Sequence, residues 1–97
     1  MANNVTDNAA AQRYEMAVGG NSAFITYRRA AGVITLVHAE VPAELRGGGL
    51  GAQLARGALE LARAQGYKVV PRCPFIATYA KRHAEFQDLI VAPPPAP

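Results

Sequence analysis

The spacing of apolar and polar positions changes along the chain, from a period of two in the first half to about 3.6 in the second. Residues 13–18 and 24–28 alternate between apolar and polar side chains, which predicts two strands. Glycine-rich or small-residue turns follow at 19–21 and 30–32. Because these connections are short, we expect the first strands to form an antiparallel meander.

Residues 33–41 predict a third strand that is apolar on both faces, ended by Pro42. A strand with two apolar faces is typical of the centre of a sheet that is covered on both sides. Strict alternation assigns the side chains to two sets. One face would carry Ile34, Leu36, His38 and Glu40, and the other Val33, Val37, Ala39 and Val41.

The second half predicts a strand-helix-strand unit. Residues 50–65 place small and apolar side chains on one side of a helix, and Gly66 is suited to end it. Residues 67–71 predict a strand, which a right-handed crossover would make parallel to 33–41. A further helix is expected from Pro74 to about Arg82, with proline in its first position. The predicted fold is therefore mixed α+β, an antiparallel meander followed by a parallel strand-helix-strand unit.

The two ends of the chain lack such patterns. Residues 1–11 are rich in Asn and Ala without a periodic apolar face, and we expect them to be disordered. Residues 92–97 form a proline-rich tail. The 97-residue chain then has room for one folded domain, over 12–91.

The amino-acid composition limits the classes of function that this chain can have. The net charge of +3 and the pI of about 9.4 suit a phosphorylated ligand, whereas nucleic acid is a weaker interpretation because the basic residues are scattered. One cysteine excludes an internal disulfide and a multi-cysteine metal site. No stretch is long and apolar enough for a membrane span, and no signal peptide is evident, so a cytoplasmic location is expected.

The segment between the third strand and the first helix holds four glycines in five positions, with Arg46 before them. Such a turn can direct several backbone N–H groups at one point, and the helix that follows adds the positive end of its dipole. Arg46 could reinforce the same anion as a two-pronged donor. A P-loop is excluded because no Lys-Ser/Thr pair follows, and the acidic residue of a dinucleotide fingerprint is missing. The alternative is a plain strand-to-helix turn.

A second group of reactive side chains is predicted at the carboxyl ends of the parallel strands, where ligands of such sheets bind. Cys73 would leave one strand at a helix N-terminus, a position that favours a thiolate. His38 would lie near the end of the other strand, where it could accept a proton, and Glu40 is a competing base. The alternatives are structural: a buried hydrophobic cysteine and a histidine bonded within the sheet.

Three separated motifs resemble the compact single-domain GNAT family of N-acetyltransferase-like proteins: His38-Ala39-Glu40-Val41-Pro42, the Arg-x-x-Gly-x-Gly loop, and Cys73-Pro74-Phe75. The resemblance implies a truncated GNAT acyl-CoA N-acyltransferase fold that binds acetyl-CoA without a metal. The pantetheine arm would lie between two parallel strands that separate, with Cys73 as the candidate thiol and His38 beside the thioester. The pyrophosphate would be held by Arg46, Gly47, Gly48, Gly49, Leu50 and Gly51.

The chain departs from larger GNAT enzymes in two respects. Their usual general-acid tyrosine would align with Ala80, so that Tyr79 could act only from a shifted position. Tyr79 and Arg82 are nevertheless candidate cofactor contacts, the alternatives being a core residue and a solvated helix end. The helices that form an acceptor-binding wall are also missing, so the acceptor site would be open or supplied by a partner.

These motifs predict transfer of an acetyl group from acetyl-CoA to an unidentified acceptor, expected to be an amine. The amine could attack the thioester directly with His38 or Glu40 as base, or Cys73 could carry the acetyl group first. The alternative function is a non-catalytic acyl-CoA sensor or partner-binding module. The motifs leave the acceptor and the oligomeric state open.

Overall fold

The computed structural model describes residues 5–43 and 49–91. They form one five-stranded sheet in the order β1-β2-β3-β4-β5, with two α-helices. Neighbouring strands from β1 to β4 pair antiparallel, whereas β4 and β5 pair parallel. The elements are β1 (Val5–Asn8), β2 (Arg13–Val18), β3 (Asn21–Ala30), β4 (Val33–Glu40), α1 (Leu50–Ala64), β5 (Lys68–Pro71) and α2 (Pro74–Arg82). The predicted mixed α+β fold with a meander and a parallel unit is confirmed.

Both helices pack on one side of the sheet, the inner face. This face carries the alternate strand residues that join a single buried cluster with the helices. On α1 the buried positions are mostly small, which lets the helix lie close to the strands. The strand contributions are Val5, Tyr14, Met16, Ala23, Ile25, Tyr27, Ile34, Leu36 and Val69, and those of the helices are Leu54, Ala55, Ala58, Leu59, Ala62, Ile76 and Ala80.

The opposite side, the outer face, is covered by neither helix. It carries the intervening residues of the same strands. Among them Glu15, Phe24, Thr26 and Arg28 are not buried, whereas Val70 of β5 is. The expectation that the strand over 33–41 is covered on both sides is therefore wrong. Its two apolar faces do not reflect two helical layers, because both helices of the described chain pack on the inner face.

Strand β4 contains a bulge that reverses its alternation. Tyr27 pairs with Leu36 and Thr26 with His38, so that Val37 is an extra residue between the two pairs. Before the bulge Leu36 points inward, and after it Ala39 is the residue that packs against the core. The predicted single face that joins Leu36 to His38 and Glu40 is therefore wrong, because one inserted residue moves every later side chain to the other face.

The predicted disorder of residues 1–11 is wrong for Val5–Ala11. Val5–Asn8 pairs with β2 as an edge strand, and Ala9–Ala11 forms a 3-10 turn. The prediction failed because composition does not show the contacts of one residue, Asp7. Its carboxylate accepts hydrogen bonds from the Tyr27 hydroxyl and, at 3.0 Å, from Gln65 Nε2 at the end of α1. Residues 1–4 lie outside the described chain.

These bonds belong to the Asp7 network, which comprises Asp7, Tyr14, Tyr27, Arg29 and Gln65. The Tyr14 hydroxyl donates to Gln65 Oε1 at 2.7 Å, and Arg29 lies 3.5 Å from Asp7 Oδ2. Burial raises the pKa of both tyrosines, and with the neighbouring Asp7 carboxylate it raises the pKa of Tyr27 to about 12. The network ties two edge elements, β1 and the end of α1, to the middle of the sheet.

After α2 the chain returns over α1 as a 3-10 segment, Ala84–Leu89, that buries Phe86 and Leu89. Arg56 binds Glu85 and Arg63 binds Asp88, each at 2.9 Å. The arginine hydrogen bonds hold the pKa of both carboxyls below the ordinary values. Two ion pairs thus attach the 3-10 segment to α1. The tail over 92–97 lies outside the described residues.

Candidate active site

The two parallel strands part at the carboxyl end of the sheet. Their pairing stops at Leu36 and Pro71, where the backbone N–H groups of Arg72 and Cys73 both donate to the Leu36 carbonyl at 3.0 Å. The chain then turns into α2, whereas β4 continues to Glu40 paired with β3 only. Within 5–43 and 49–91, the edge of β4 after Leu36 therefore has no partner strand. We call the space between this edge and the start of α2 the cleft.

The N-termini of both helices border the cleft. A Cβ placed on Gly51 in the first turn of α1 would lie 3.0 Å from the Phe75 ring in the first turn of α2. Neither helix has a side-chain cap or an acidic residue in its first turn. The free N–H groups and the positive ends of two dipoles therefore meet at one place, which is a favourable environment for an anion.

The described part of the glycine loop shows why glycine is needed at its end. Gly49 is the N-cap of α1 with φ of 77°, in the left-handed region that other residues enter only with strain. Gly49, Leu50 and Gly51 form the N-cap and first turn of α1, and their role in binding the cofactor stays a prediction. The predictions for Arg46, Gly47 and Gly48 fall outside the described residues.

Cys73 lies at the start of α2, as predicted, but it is buried. It is the N-cap residue, followed by Pro74, and only 5% of it is exposed. The residue belongs to the core cluster on the inner face. The Cys73 side chain therefore meets an apolar environment, and its backbone is fixed to β4 through Leu36.

His38 and Glu40 point to the outer face, where both are well exposed. Their side chains are 63% and 57% exposed, and His38 Nε2 lies 4.0 Å from Glu40 Oε1. The β4 bulge causes this orientation. The structure thus brings the backbones of His38 and Cys73 to the same point of the sheet, while their side chains lie on opposite faces and make no contact.

Tyr79 and Arg82 lie farther along α2. The Tyr79 ring stacks on the His83 ring, with the ring centres 3.9 Å apart. The centre of the Phe86 ring lies 6.3 Å from that of Tyr79. Arg56 of α1 lies close enough to interact with its hydroxyl. Arg82 ends the helix, about 12 Å along the axis from Pro74. Their proposed contacts with the cofactor rest on the sequence resemblance alone.

The structure adds two exposed apolar residues at the cleft, Val37 and Phe75, which are 40% and 43% exposed. Val37 was assigned to an ordinary strand face. A signal of the bulge was present in the sequence, since apolar positions at 34 and 36 give way to 39 and 41, with His38 between them. This change of phase is typical of an inserted strand residue.

The described residues contain neither a metal-binding cluster nor a membrane-spanning helix. No group of three or more His, Cys, Asp or Glu side chains is arranged to hold a metal ion. No helix among them has the length and apolar character needed to cross a membrane.

Comparisons with known proteins agree with this arrangement. The sheet and helices define the acyltransferase class of fold, and the model of the GCN5-related N-acetyltransferase family matches residues 13–89. The chain belongs to this family. A similar solved structure is the solution structure of a GCN5-like protein from Staphylococcus aureus described as a candidate N-acetyltransferase. The two share 26% identity over 97% of this chain and 94% of that chain, with a TM-score of 0.67. No curated protein sequence matches.

Proposed function

We propose that this protein transfers an acetyl group from acetyl-CoA to an amine acceptor. The observation that carries the proposal is the cleft, where, within residues 5–43 and 49–91, the edge of β4 after Leu36 has no partner strand and meets two helix N-termini without side-chain caps. Membership of an acetyltransferase family supports acyl transfer in general. Acetyl-CoA as the donor and an amine as the acceptor are the finer parts of the proposal.

The cleft suits the chemical parts of acetyl-CoA. The pyrophosphate would lie at the start of α1, where Gly49 and Gly51 leave the backbone N–H groups accessible. The pantetheine arm contains amides, which can pair with the edge of β4 after Leu36 as an added strand would. The exposed side chains of Val37 and Phe75 offer apolar contacts to the same arm.

Direct transfer is the route that the side chains favour. The acceptor nitrogen attacks the thioester carbonyl carbon, the carbon-sulfur bond breaks, and CoA leaves as a thiolate that takes a proton from water. The nitrogen loses its extra proton to His38 or Glu40, directly or through a water. Both groups are exposed on the outer face, so the acceptor would approach from that side.

The covalent route through Cys73 is less well supported, because the residue is buried and does not contact His38. In that route the Cys73 thiolate would displace CoA and then give the acetyl group to the amine. A Cys73→Ala variant with full turnover would exclude it. Mass spectrometry after incubation with acetyl-CoA, showing an added acetyl group on Cys73, would support it instead.

Calorimetry and an amine panel test the proposal together. We expect acetyl-CoA and CoA to bind and S-acetylpantetheine, which lacks the phosphates, to bind much more weakly. We also expect acetylation of at least one amine, measured by release of free CoA. Absence of binding by acetyl-CoA would overturn the proposal at its first step.

The second candidate function is an acyl-CoA sensor without catalysis. The observation that favours it is the separation of Cys73 from His38 onto opposite faces of the sheet. Tight binding of CoA with no acetylation of any amine would support this function. The cytoplasmic location stays a prediction under either function.

A further inference from the structure

A second concave site lies on the outer face, away from the cleft. It is an open groove of about 540 Å³ between the β3–β4 turn and β5. This volume is in the range of small-molecule sites. Its principal lining residues are Arg28, Val33, Thr35, Lys68, Val70 and Val91.

The floor of the groove is built by cross-strand rows of the sheet. Thr35 pairs with Arg28 on one side and with Val70 on the other, and Val33 pairs in the same way with Ala30 and Lys68. The far wall forms because Val91 N–H donates to the Val69 carbonyl at 2.9 Å, which places Val91 beside β5. This contact also occupies the outer edge of β5 at Val69, so the open groove is bounded there by Val91 and does not offer a free strand edge at that point.

Among the described residues, the charged side chains that line the groove are all positive. Arg28 is exposed and has no carboxylate partner among residues 5–43 and 49–91. Lys68 Nζ donates to the backbone carbonyl of Asp88 at 3.0 Å, and the Asp88 carboxylate is held by Arg63. Arg29 pairs with Asp7 on the inner face. No Asp or Glu side chain within 5–43 and 49–91 lines the groove.

We propose that the groove binds a small amphipathic carboxylate, with the acid on Arg28 and the apolar chain over Val33, Val70 and Val91. A guanidinium binds a carboxylate through two parallel hydrogen bonds. The Thr35 hydroxyl and the Lys68 ammonium lie on the same floor and rim. The site is separate from the cleft, because it uses the first residues of β4 and β5 and the cleft begins after Leu36.

Two-dimensional amide NMR with octanoate as the probe tests this site in the full chain. We expect saturable shifts at Ala31, Val33, Thr35, Val70 and Val91, without shifts at Gly49 or Gly51. In Arg28→Gln the dissociation constant should rise about ten-fold, as expected for loss of a charged hydrogen-bonded pair. Lys81→Gln removes one charge from an exposed site on α2 and should leave the constant within about two-fold of the wild-type value.

Other outcomes would overturn the proposal. Equal binding of 1-octanol and octanoate would show that the groove has no preference for an acid. Octanoate binding that is unchanged in Arg28→Gln would remove the anchor. If the amide chemical shifts of the groove residues change with protein concentration in the absence of ligand, the groove is instead a contact surface for a second copy of the chain. None of these results depends on whether acetyl-CoA binds in the cleft.

Discussion

The two ends of the sheet satisfy their polar groups in opposite ways. At the end where β4 and β5 begin, the Asp7 network links β1, the sheet and α1 by hydrogen bonds that satisfy the hydroxyls of the buried Tyr14 and Tyr27. At the end where these strands part, the edge of β4 has no partner strand within the described residues, and His38, Glu40 and Phe75 are exposed. Stability and chemistry are therefore placed at different ends of one small sheet.

This separation matters because the chain has one compact core to support both tasks. In a domain this small a single lost network is a large part of the total stability. The exposed side chains of the open end, His38, Glu40 and Phe75, in contrast make few buried contacts that a substitution could remove. Substitutions at one end should therefore change the free energy of unfolding, and those at the other should change binding or turnover.

Removal of the Asp7 carboxylate should have the largest effect. Asp7→Ala leaves the Tyr27 hydroxyl and Gln65 without their acceptor, and we expect a loss of about 3 kcal/mol in the free energy of unfolding. Urea denaturation measures it. Asp7→Asn, which keeps an acceptor for Tyr27, should lose less. A change in acetyl-CoA affinity of the folded protein would contradict the separation of the two ends.

Removal of the proposed base should act on turnover alone. If His38 accepts the proton of the amine, His38→Ala should lower kcat about a hundred-fold, equivalent to about 2.7 kcal/mol. The unfolding free energy should stay the same, since the side chain is 63% exposed. Ser22→Ala, at another exposed strand position, is the matched control. A larger loss in Glu40→Gln than in His38→Ala would transfer the role to Glu40.

Two alanine substitutions at the start of α1 should differ in effect. In Gly49→Ala the new Cβ meets no atom of the described residues within 4 Å, but φ of 77° strains it, which costs about 1 kcal/mol. In Gly51→Ala the Cβ lies 3.0 Å from the end of the exposed Phe75 ring, and the gain in helix propensity offsets the contact. Thermal unfolding of the two variants measures the difference. Equal stabilities would argue against the left-handed N-cap.

The smallest effect should appear in acid. Arg56 and Arg63 lower the pKa of Glu85 and Asp88 in the folded chain below the ordinary values of 4.5 and 3.8. A carboxyl with a lowered folded pKa stabilises above its unfolded pKa, and this contribution falls as the pH drops through the folded value. We expect the urea concentration at the midpoint of unfolding to decrease slightly when the pH is lowered below about 4.5. The fall should be smaller in Asp88→Asn, and an equal fall would assign the effect to other carboxyls.

The strands and helices with regular spacing were predictable. The pattern over 13–18 matched β2, the small inner residues of 50–65 matched α1, and Pro74 marked the start of α2. These elements were found because each buries one face, and burial imposes a period on the sequence. The fold family followed from three motifs of fixed order.

Other features depended on contacts between distant residues. The edge strand at 5–8 has little apolar character, and it is held by Asp7 through bonds to residues 20 and 58 positions away. The orientation of His38 depended on a one-residue bulge against β3. The burial of Cys73 depended on how α2 packs after the strands part. Periodicity and composition carry little information about such pairs.

The sequence by itself determined the order of elements, the glycine-led start of α1 and the residue types that collect at the carboxyl end of the parallel strands, because these follow from local periodicity and backbone preference. Only the tertiary structure decided which side chains face each other. It placed His38 and Cys73 on opposite faces, since a single extra residue in β4 changes the direction of all later side chains.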